Sequence, residues 1–389
     1  MALMWLAARW ARDTGWPGTL DVAVVDHGLR PEAADEAYFV MGEAEKLGLT
    51  AHTLTWECPH PKTGIPAAAR EARYDLLFGL ARKIKAVVVT AHTQDDQAET
   101  VLMRLARGSG VDGLSAMAVH TRRDGKQLFR PLLDLSRERL RATLRQAGVG
   151  WIDDPTNENT AHERVRIRKA LDVLEGLNVT REALAYSATR IRRARSALEV
   201  MTGVLMERAV TVERNSFAKL SVEKWILEPD ELQVRTIMEL ARMFGGGQEI
   251  SLSGAERVRD WTLTRQGRAT TFAGCRFARR NREIIVGREA ARVSHDVVEI
   301  ADGDAVLWDN RYEITLGNDA VPAVIMPVGG VAGLVRPDEV PDFVWRGLPA
   351  LLTPGGAVTP VDIESGDDKP RAGVEFRFIN SPTCVHDDA

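Results

Sequence analysis

Cysteine is scarce in this 389-residue chain: Cys58, Cys275 and Cys384 stand far apart, and no Cys-x-x-Cys pair occurs. Neither a disulfide framework nor a thiolate metal site is therefore suggested. Long apolar runs are missing too, and the first residues have neither the basic start nor the small-residue cleavage site of a signal peptide. The sequence thus predicts a protein that stays in the cytoplasm. There is no internal repeat and no low-complexity tract. Nor does one charge dominate, since the formal net charge is −4, which by itself points away from nucleic acid. What is present reverses that reading locally. Arg164, Arg166, Arg168, Lys169, Arg181, Arg190, Arg192, Arg193 and Arg195 crowd one region, while the tail after Val361 is mostly acidic, so a basic face for phosphates survives in an acidic chain. With 44% hydrophobic residues, the length suffices for two or three domains that each bury a core.

The chain is organised around residues 86–114. Ala86–Thr90 is a short β-branched run that reads as a buried parallel strand, and from Gln97 the apolar residues Val101, Leu102 and Leu105 return at helical spacing. His92, Asp95, Asp96 and Glu99 fall just past the strand's C-terminal end, where open α/β sheets place their ligand crevice. Asp95 and Glu99 are four apart and Asp96 and Glu99 three apart, so the carboxylates share one helix face. Two readings compete. In one, the acidic residues complement the positive end of the helix dipole, with Thr93 and Asp96 spaced as a capping box. In the other, hard oxygen ligands hold Mg²⁺ beside the guanidinium of Arg107, as phosphate transfer from a nucleotide requires.

The joint pattern favours the second. His92-x-x-Asp95-Asp96-x-x-Glu99-Thr100, followed by Arg107-Gly108-Ser109-Gly110 and Gly113-Leu114-Ser115-Ala116-Met117, resembles the tRNA(Ile)-lysidine synthetases. Those enzymes are N-type ATP pyrophosphatases with an adenine-nucleotide α-hydrolase fold, and the resemblance runs over roughly the first half of the chain. Val25-Asp26-His27-Gly28-Leu29-Arg30, ending the β-rich run Thr19–Val25, matches a family strand end that lines the nucleotide pocket. The resemblance makes Asp26, His27 and Arg30 cofactor-binding residues, together with His92 and Gly108. Read without it, the segment is a strand-to-loop turn with Gly28 at positive φ. Ala33–Leu47, stopped by Gly48, predicts a crossover helix, and Leu49–Thr55 the next strand.

Ala69-Arg70-x-x-Arg73-Tyr74 resembles a family helix motif, although Pro66 stands where the family commonly has Glu. Arg70 and Arg73 share a face that reaches pyrophosphate or a tRNA phosphate, or else they are ordinary exposed charges with Tyr74 packed inward. Phe129-Arg130-Pro131-Leu132-Leu133 fits the family's Arg-Pro-Leu segment and, like the helix between Ser136 and Gly148, reads as mainly structural. Trp151-Ile152-Asp153-Asp154-Pro155-Thr156-Asn157, with a short strand expected before Asp153, matches a segment near the family's reaction centre. Asp153 is carried over as catalytic, whereas an Asx-turn explains Asn157 as well. Arg164-x-Arg166-x-Arg168 resembles the family's Arg-Asn-x-Ile/Leu-Arg element, with Val165 in place of Asn. Its arginines are expected on tRNA phosphates, a solvated helix face being the plain alternative.

The beginning is unusual. Residues 1–10 already read as a helix, with Leu3, Leu6, Ala7 and Trp10 on one face and no strand or capping residue ahead. The resemblance implies a strand and a Ser-Gly-Gly-x-Asp-Ser loop before this helix, whose backbone N–H groups hold ATP phosphates. The sequence starts just after the place where that loop would end. An internal start or a truncation is the expectation, with a genuine loss of the loop as the other option and little or no turnover by the chain as written.

The expected fold is α/β: a parallel-sheet ATP-pyrophosphatase domain over 1–172, a mainly helical, hairpin-bearing tRNA-binding domain over 173–295, and a small mostly-β module over 301–389. The second rests on a basic helical stretch to about Glu207, amphipathic Asp230–Phe244, the break Gly245–Gly247, a helix near Ser253–Trp261 and a hairpin ending at Val286. Arg276, Phe277, Arg279, Arg280, Arg282 and Arg288 suit RNA phosphates, or a solvated charged hairpin. The third rests on short β segments at Val306–Trp308, Tyr312–Leu316, Ala323–Met326 and Val374–Ile379.

The resemblance implies ligation of free L-lysine to the wobble cytidine of a tRNA(Ile) with a CAU anticodon, with ATP and Mg²⁺. The C2 carbonyl attacks the α-phosphate and releases pyrophosphate, and the lysine ε-amino group then displaces AMP. On that scheme Asp95, Asp96, Arg107 and Asp153 are catalytic, and Asp95, Asp96 and Glu99 hold the metal. Arg70, Arg73, Arg164, Arg166 and Arg168 meet the tRNA, whose target base leaves its stack. The oligomeric state is left open, a homodimer included. A tRNA thiolase would use the same ATP chemistry but needs cysteines for sulfur or an iron–sulfur cluster, which three scattered ones do not supply. An inactive tRNA-binding protein is the non-enzymatic alternative.

Overall fold

The computed structural model describes residues 1–28, 33–56, 63–123, 126–152, 163–264, 266–317, 322–352, 358–360 and 374–380. Arg30, Asp153, Asp154 and Asn157 lie outside them. The chain divides into two compact units, 1–195 and 196–389.

The first unit alternates helix and strand: α1 (Ala2–Thr14), β1 (Asp21–Asp26), α2 (Ala33–Lys46), β2 (Thr50–Thr55), α3 (Ile65–Ile84), β3 (Val88–Val89) and α4 (Gln94–Ala106). It continues through α5 (Val111–Leu114), β4 (His120–Arg123), β5 (Lys126–Phe129), α6 (Arg137–Ala147), α7 (Glu163–Glu175) and the start of α8 (Arg181–Ala209). β1 and β2 pair in parallel, Asp21 opposite Thr50 through Asp26 opposite Thr55. β3 pairs in parallel with β5, and β4 with β5 antiparallel, so the described strands form two sheets. Parallel neighbours joined through helices are what an alternating strand–helix sequence demands. Of the strand expected at Ala86–Thr90 only Val88 and Val89 enter the ladder, and Trp151 and Ile152 carry no strand. Val88 packs with Ala81 and Leu128 under Tyr74, Leu77 and Phe78. Local signals set the helix ends. Ser136 caps α6 by accepting the Arg139 N–H at 3.2 Å, and Gly148 stops it.

The second unit opens with β6 (Val210–Glu213), β7 (Phe217–Ser221), α9 (Val222–Trp225), α10 (Asp230–Phe244), α11 (Leu252–Thr264), β8 (Ala269–Phe272), β9 (Cys275–Arg280) and β10 (Glu283–Arg288). These strands make a five-stranded antiparallel sheet in the order β6-β7-β10-β9-β8, so a sheet larger than the single expected hairpin accompanies the helices of this region. β11 (Val298–Ile300), β12 (Ala305–Trp308), β13 (Tyr312–Leu316), β14 (Ala323–Pro327), α12 (Asp342–Trp345), β15 (Pro349–Leu352), β16 (Val358–Pro360) and β17 (Val374–Phe378) follow, in sheets β11-β14-β15-β16 and β12-β13-β17. The boundary expected between 295 and 301 falls inside this unit. Phe217, Trp225, Phe244 and Ile284 share one hydrophobic core with Ile300, Tyr312, Ile314 and Phe378, and Phe244 stacks on Phe378 at 5.7 Å. At about 1.5–3 kcal/mol for each large side chain buried, that shared core joins the two expected portions into one unit.

Strand alternation also divides the stretch expected to face RNA. Arg276, Arg280 and Arg282 are exposed, but Phe277 and Arg288 are buried, and Arg279 donates to the carbonyls of Trp261 and Thr262 at 3.2 Å each. A period of two sends half of any basic run in a sheet inward. Among the described residues no helix is long and apolar enough to cross a membrane.

Candidate active site

β3 ends at Val89, and the chain turns through Thr90, Ala91 and His92 into α4. Thr93 caps that helix. Its N–H and its hydroxyl each donate to Asp96 Oδ2 at 2.8 Å, a cap of about 1 kcal/mol. The other Asp96 oxygen faces the Arg137 guanidinium at 3.6 Å. Asp95 accepts the backbone N–H of Arg137 at 2.7 Å and lies 3.8 Å from the Arg181 guanidinium. Glu99 is buried. Its Oε1 accepts Arg168 Nε at 2.5 Å, with Arg137 at 3.8 Å, while its buried Oε2 has no hydrogen-bond partner.

In this structure the trio expected to ligate Mg²⁺ faces guanidinium groups and a helix cap. Each carboxylate answers a guanidinium or a helix cap, and among the described residues no group of three His, Cys, Asp or Glu side chains could hold a metal. Close opposite charges compensate the three carboxylates within the protein, although Glu99 Oε2 is left without a hydrogen-bond partner. Arg168, expected on tRNA, is committed to Glu99; Arg166 is exposed and Arg164 half-buried. Arg107, expected beside the phosphates, ends α4 and donates twice to the Glu163 carboxylate, at 2.7 and 2.8 Å. Gly108 adopts φ 66°, the left-handed conformation that terminates the helix. The Gly113–Met117 motif is docked by side chains. Gln97 exchanges hydrogen bonds with the Met117 backbone at 2.7 and 2.9 Å, and Arg192 donates to the Ser115 and Met117 carbonyls.

Arginines gather at the strand end. His92 bonds the Thr90 hydroxyl through Nδ1 at 2.9 Å. Its pKa is pushed down to about 4, first by desolvation and then by Arg130, Arg70 and Arg164, with Asp96 opposing. Arg73 is likewise lowered, chiefly by desolvation, with Tyr74 opposing and Arg70 and Arg164 adding to it. Thus α3, the segment after β5 and the start of α7 bring Arg70, Arg130 and Arg164 near a neutral imidazole. Arg70 lies over the Tyr74 ring at 5.3 Å. Arg73 reaches His27 Nε2 at 3.2 Å, and His27 meets Trp56 edge-on at 6.0 Å. Gly28, at φ 63° as expected, donates its N–H to Asp26 at 2.8 Å, which shapes the turn carrying His27.

Arg130 had only a structural reading in the sequence. It is buried, donates to the Ala118 carbonyl at 3.0 Å and the Thr121 hydroxyl at 3.2 Å, and leaves Nε without a hydrogen-bond partner. Its signal in the sequence is the Arg-Pro-Leu segment. A buried arginine with an unspent N–H beside three others is suited to a polyanion.

Parallel strands whose C-terminal ends collect such cations define a nucleotide-binding α/β protein, and residues 1–174 match the PP-loop domain family. Similar proteins include the tRNA(Ile)-lysidine synthase of Bradyrhizobium diazoefficiens, 55% identical over 203 residues, which are 52% of this chain and 56% of that one. That of a Bradyrhizobium sp. strain is 47% identical over 66% of this chain and 75% of its own length. That of Ruegeria pomeroyi is 37% identical over 85% and 76% respectively. The chain belongs to the tRNA(Ile)-lysidine synthase family.

Proposed function

We propose that the chain carries out the ligation for which its family is named. The wobble cytidine of tRNA(Ile) with a CAU anticodon attacks the α-phosphate of ATP through its C2 oxygen; an O–P bond forms and the anhydride bond to pyrophosphate breaks. The lysine ε-amino group then forms a C–N bond at C2, loses its protons, and AMP departs with the oxygen. The arginines at the strand end, Arg70, Arg130 and Arg164 around His92 and Arg73 on His27, carry this reading, because an anionic leaving group needs fixed cations where charge accumulates. His92, neutral at physiological pH, adds no competing positive charge of its own and is free to hydrogen-bond. Asp26 and His27 would line the nucleotide side, and Arg166 the tRNA side. Arg30 and Asp153 keep their assignments to the nucleotide and to lysine on resemblance alone.

Mg²⁺ would supply charge neutralisation for the phosphates. That ion binds largely through substrate phosphates and retained waters, and the α4 carboxylates are engaged elsewhere, so no step is assigned to it through them. The test is incorporation of labelled lysine into unmodified tRNA(Ile) with ATP and Mg²⁺, by this chain and by a version with a strand and Ser-Gly-Gly-x-Asp-Ser loop placed ahead of Met1. Incorporation by either supports the ligase. None by both, with tRNA binding intact, would favour a binding protein instead.

A further inference from the structure

α7 is tied to α4 at two points. Arg107 at the C-terminal end of α4 holds Glu163 at the start of α7 with two hydrogen bonds. About two turns earlier on α4, Glu99 takes the Nε of Arg168 at 2.5 Å. The ties occur in opposite order along the two helices, so α4 and α7 lie antiparallel. Arg164 sits between them in sequence. It is four residues from Arg168 and therefore on the same side of α7, and Val165 beside it is 5% exposed, which seats this part of α7 firmly. The outer tie is not explained by stability alone. The Arg107–Glu163 side chains are 59% and 47% exposed, where an ion pair adds little, yet one Arg107 nitrogen meets both carboxylate oxygens, a short charge-assisted contact between the two helices.

We propose that Glu163 and Glu99 are positioning residues: holding α7 against α4, they place Arg164 where it joins Arg70, Arg73 and Arg130 on one phosphate-bearing ligand. The proposal rests on the nucleotide-site reading above and extends it to residues that touch no substrate. It makes a prediction opposite in sign to simple electrostatics. A carboxylate near a phosphate site repels the ligand, so its neutralisation by itself tightens anion binding. If the carboxylate instead positions an arginine, neutralisation weakens binding.

The experiment is calorimetric titration of inorganic pyrophosphate into the full chain, as wild type, Glu163→Gln, Glu99→Gln and the exchanged pair R107E/E163R, with a thermal midpoint for each. Both glutamine variants should bind about tenfold more weakly, the scale of one charge-assisted contact. The exchanged pair should recover to within about threefold of wild type, as a coupled pair does in a double-mutant cycle. Unchanged or tighter binding by Glu163→Gln would overturn the proposal, and so would failure of the exchanged pair to recover with its midpoint intact. The exposed Glu163 keeps the test decisive even if the buried Glu99 variant folds poorly. A wild type that binds no pyrophosphate would sink the nucleotide-site reading and this proposal with it; wild-type binding that ignores Glu163 would sink the positioning role alone.

Discussion

Asp95 accepts the backbone N–H of Arg137 at 2.7 Å, so the first carboxylate of α4 fastens that helix to the first turn of α6. A hydrogen bond to a charged acceptor contributes about 1.5–3 kcal/mol. Asp95→Ala should therefore loosen α4 and α6 by about 2 kcal/mol in metal-free buffer, read from hydrogen exchange of their amides. Exchange unchanged within about 0.5 kcal/mol would mean that the carboxylate is spare in the free protein and available to a cation.

That contact also marks where the sequence stops being informative. The Thr93–Asp96 box and the Ser136 and Gly148 caps of α6 are legible because both members of each signal lie within a few residues. Arg137, Arg168 and Arg181 reach α4 from three other helices, and no local spacing records which carboxylate each will meet. The same acidic cluster consequently reads as a metal set in sequence and is held by arginines in the fold. Val165 is a related case. Its difference from the family's Asn is visible in the sequence, but that the position faces a buried surface is not. In the second unit α10 and β13 coincide with their expected bounds, since each carries an uninterrupted periodic pattern. Arg288 belies its polarity because its partner, Asp309, arrives from a turn in a different sheet.

His92 gives a pH signature. With a folded pKa near 4 against 6.5 in the unfolded chain, the unfolded state binds the extra proton between those values. Stability therefore falls as pH drops from 6.5 toward 4 and is unaffected above that window. His92→Asn should remove this part of the acid sensitivity. In the wild type, the imidazole Cε1–H resonance should not titrate until well below pH 5. A midpoint above 6 would mean that the ring is not desolvated at the strand end.

Cys275 offers a probe of the second unit. Its thiol is fully buried against the Leu240 and Ala241 carbonyls, and burial pushes its pKa up to about 12. Only the thiolate alkylates readily, so iodoacetamide at pH 8 should leave Cys275 unmodified in the native protein. Labelling should appear only as denaturant unfolds the sheet that carries β9. Rapid native labelling at this position, mapped by mass spectrometry, would show that the core opens locally.

The sharpest stability prediction concerns Asp309, 8% exposed, between Arg288 at 2% and Arg311 at 0%. Arg288 donates to both carboxylate oxygens, at 2.7 and 3.0 Å, and Arg311 Nε donates to one at 2.6 Å. Backbone carbonyls of Gly245, Gly274 and Arg292 take further Arg288 N–H groups, and Gly347 takes one from Arg311. Two buried cations thus share one anion, with Trp308 and Tyr312 facing the Arg311 guanidinium at 5.7 and 5.1 Å. Asp309→Asn leaves both cations without their counter-charge and should cost about 3–5 kcal/mol. Arg311→Met removes one cation, keeps the Arg288–Asp309 pair, and fills an aromatic slot with an apolar chain, so it should cost distinctly less. Urea unfolding of the two variants side by side checks the order. If Arg311→Met proved the more damaging, the aromatic contacts and the Gly347 hydrogen bond, rather than the shared carboxylate, would be what holds this junction together.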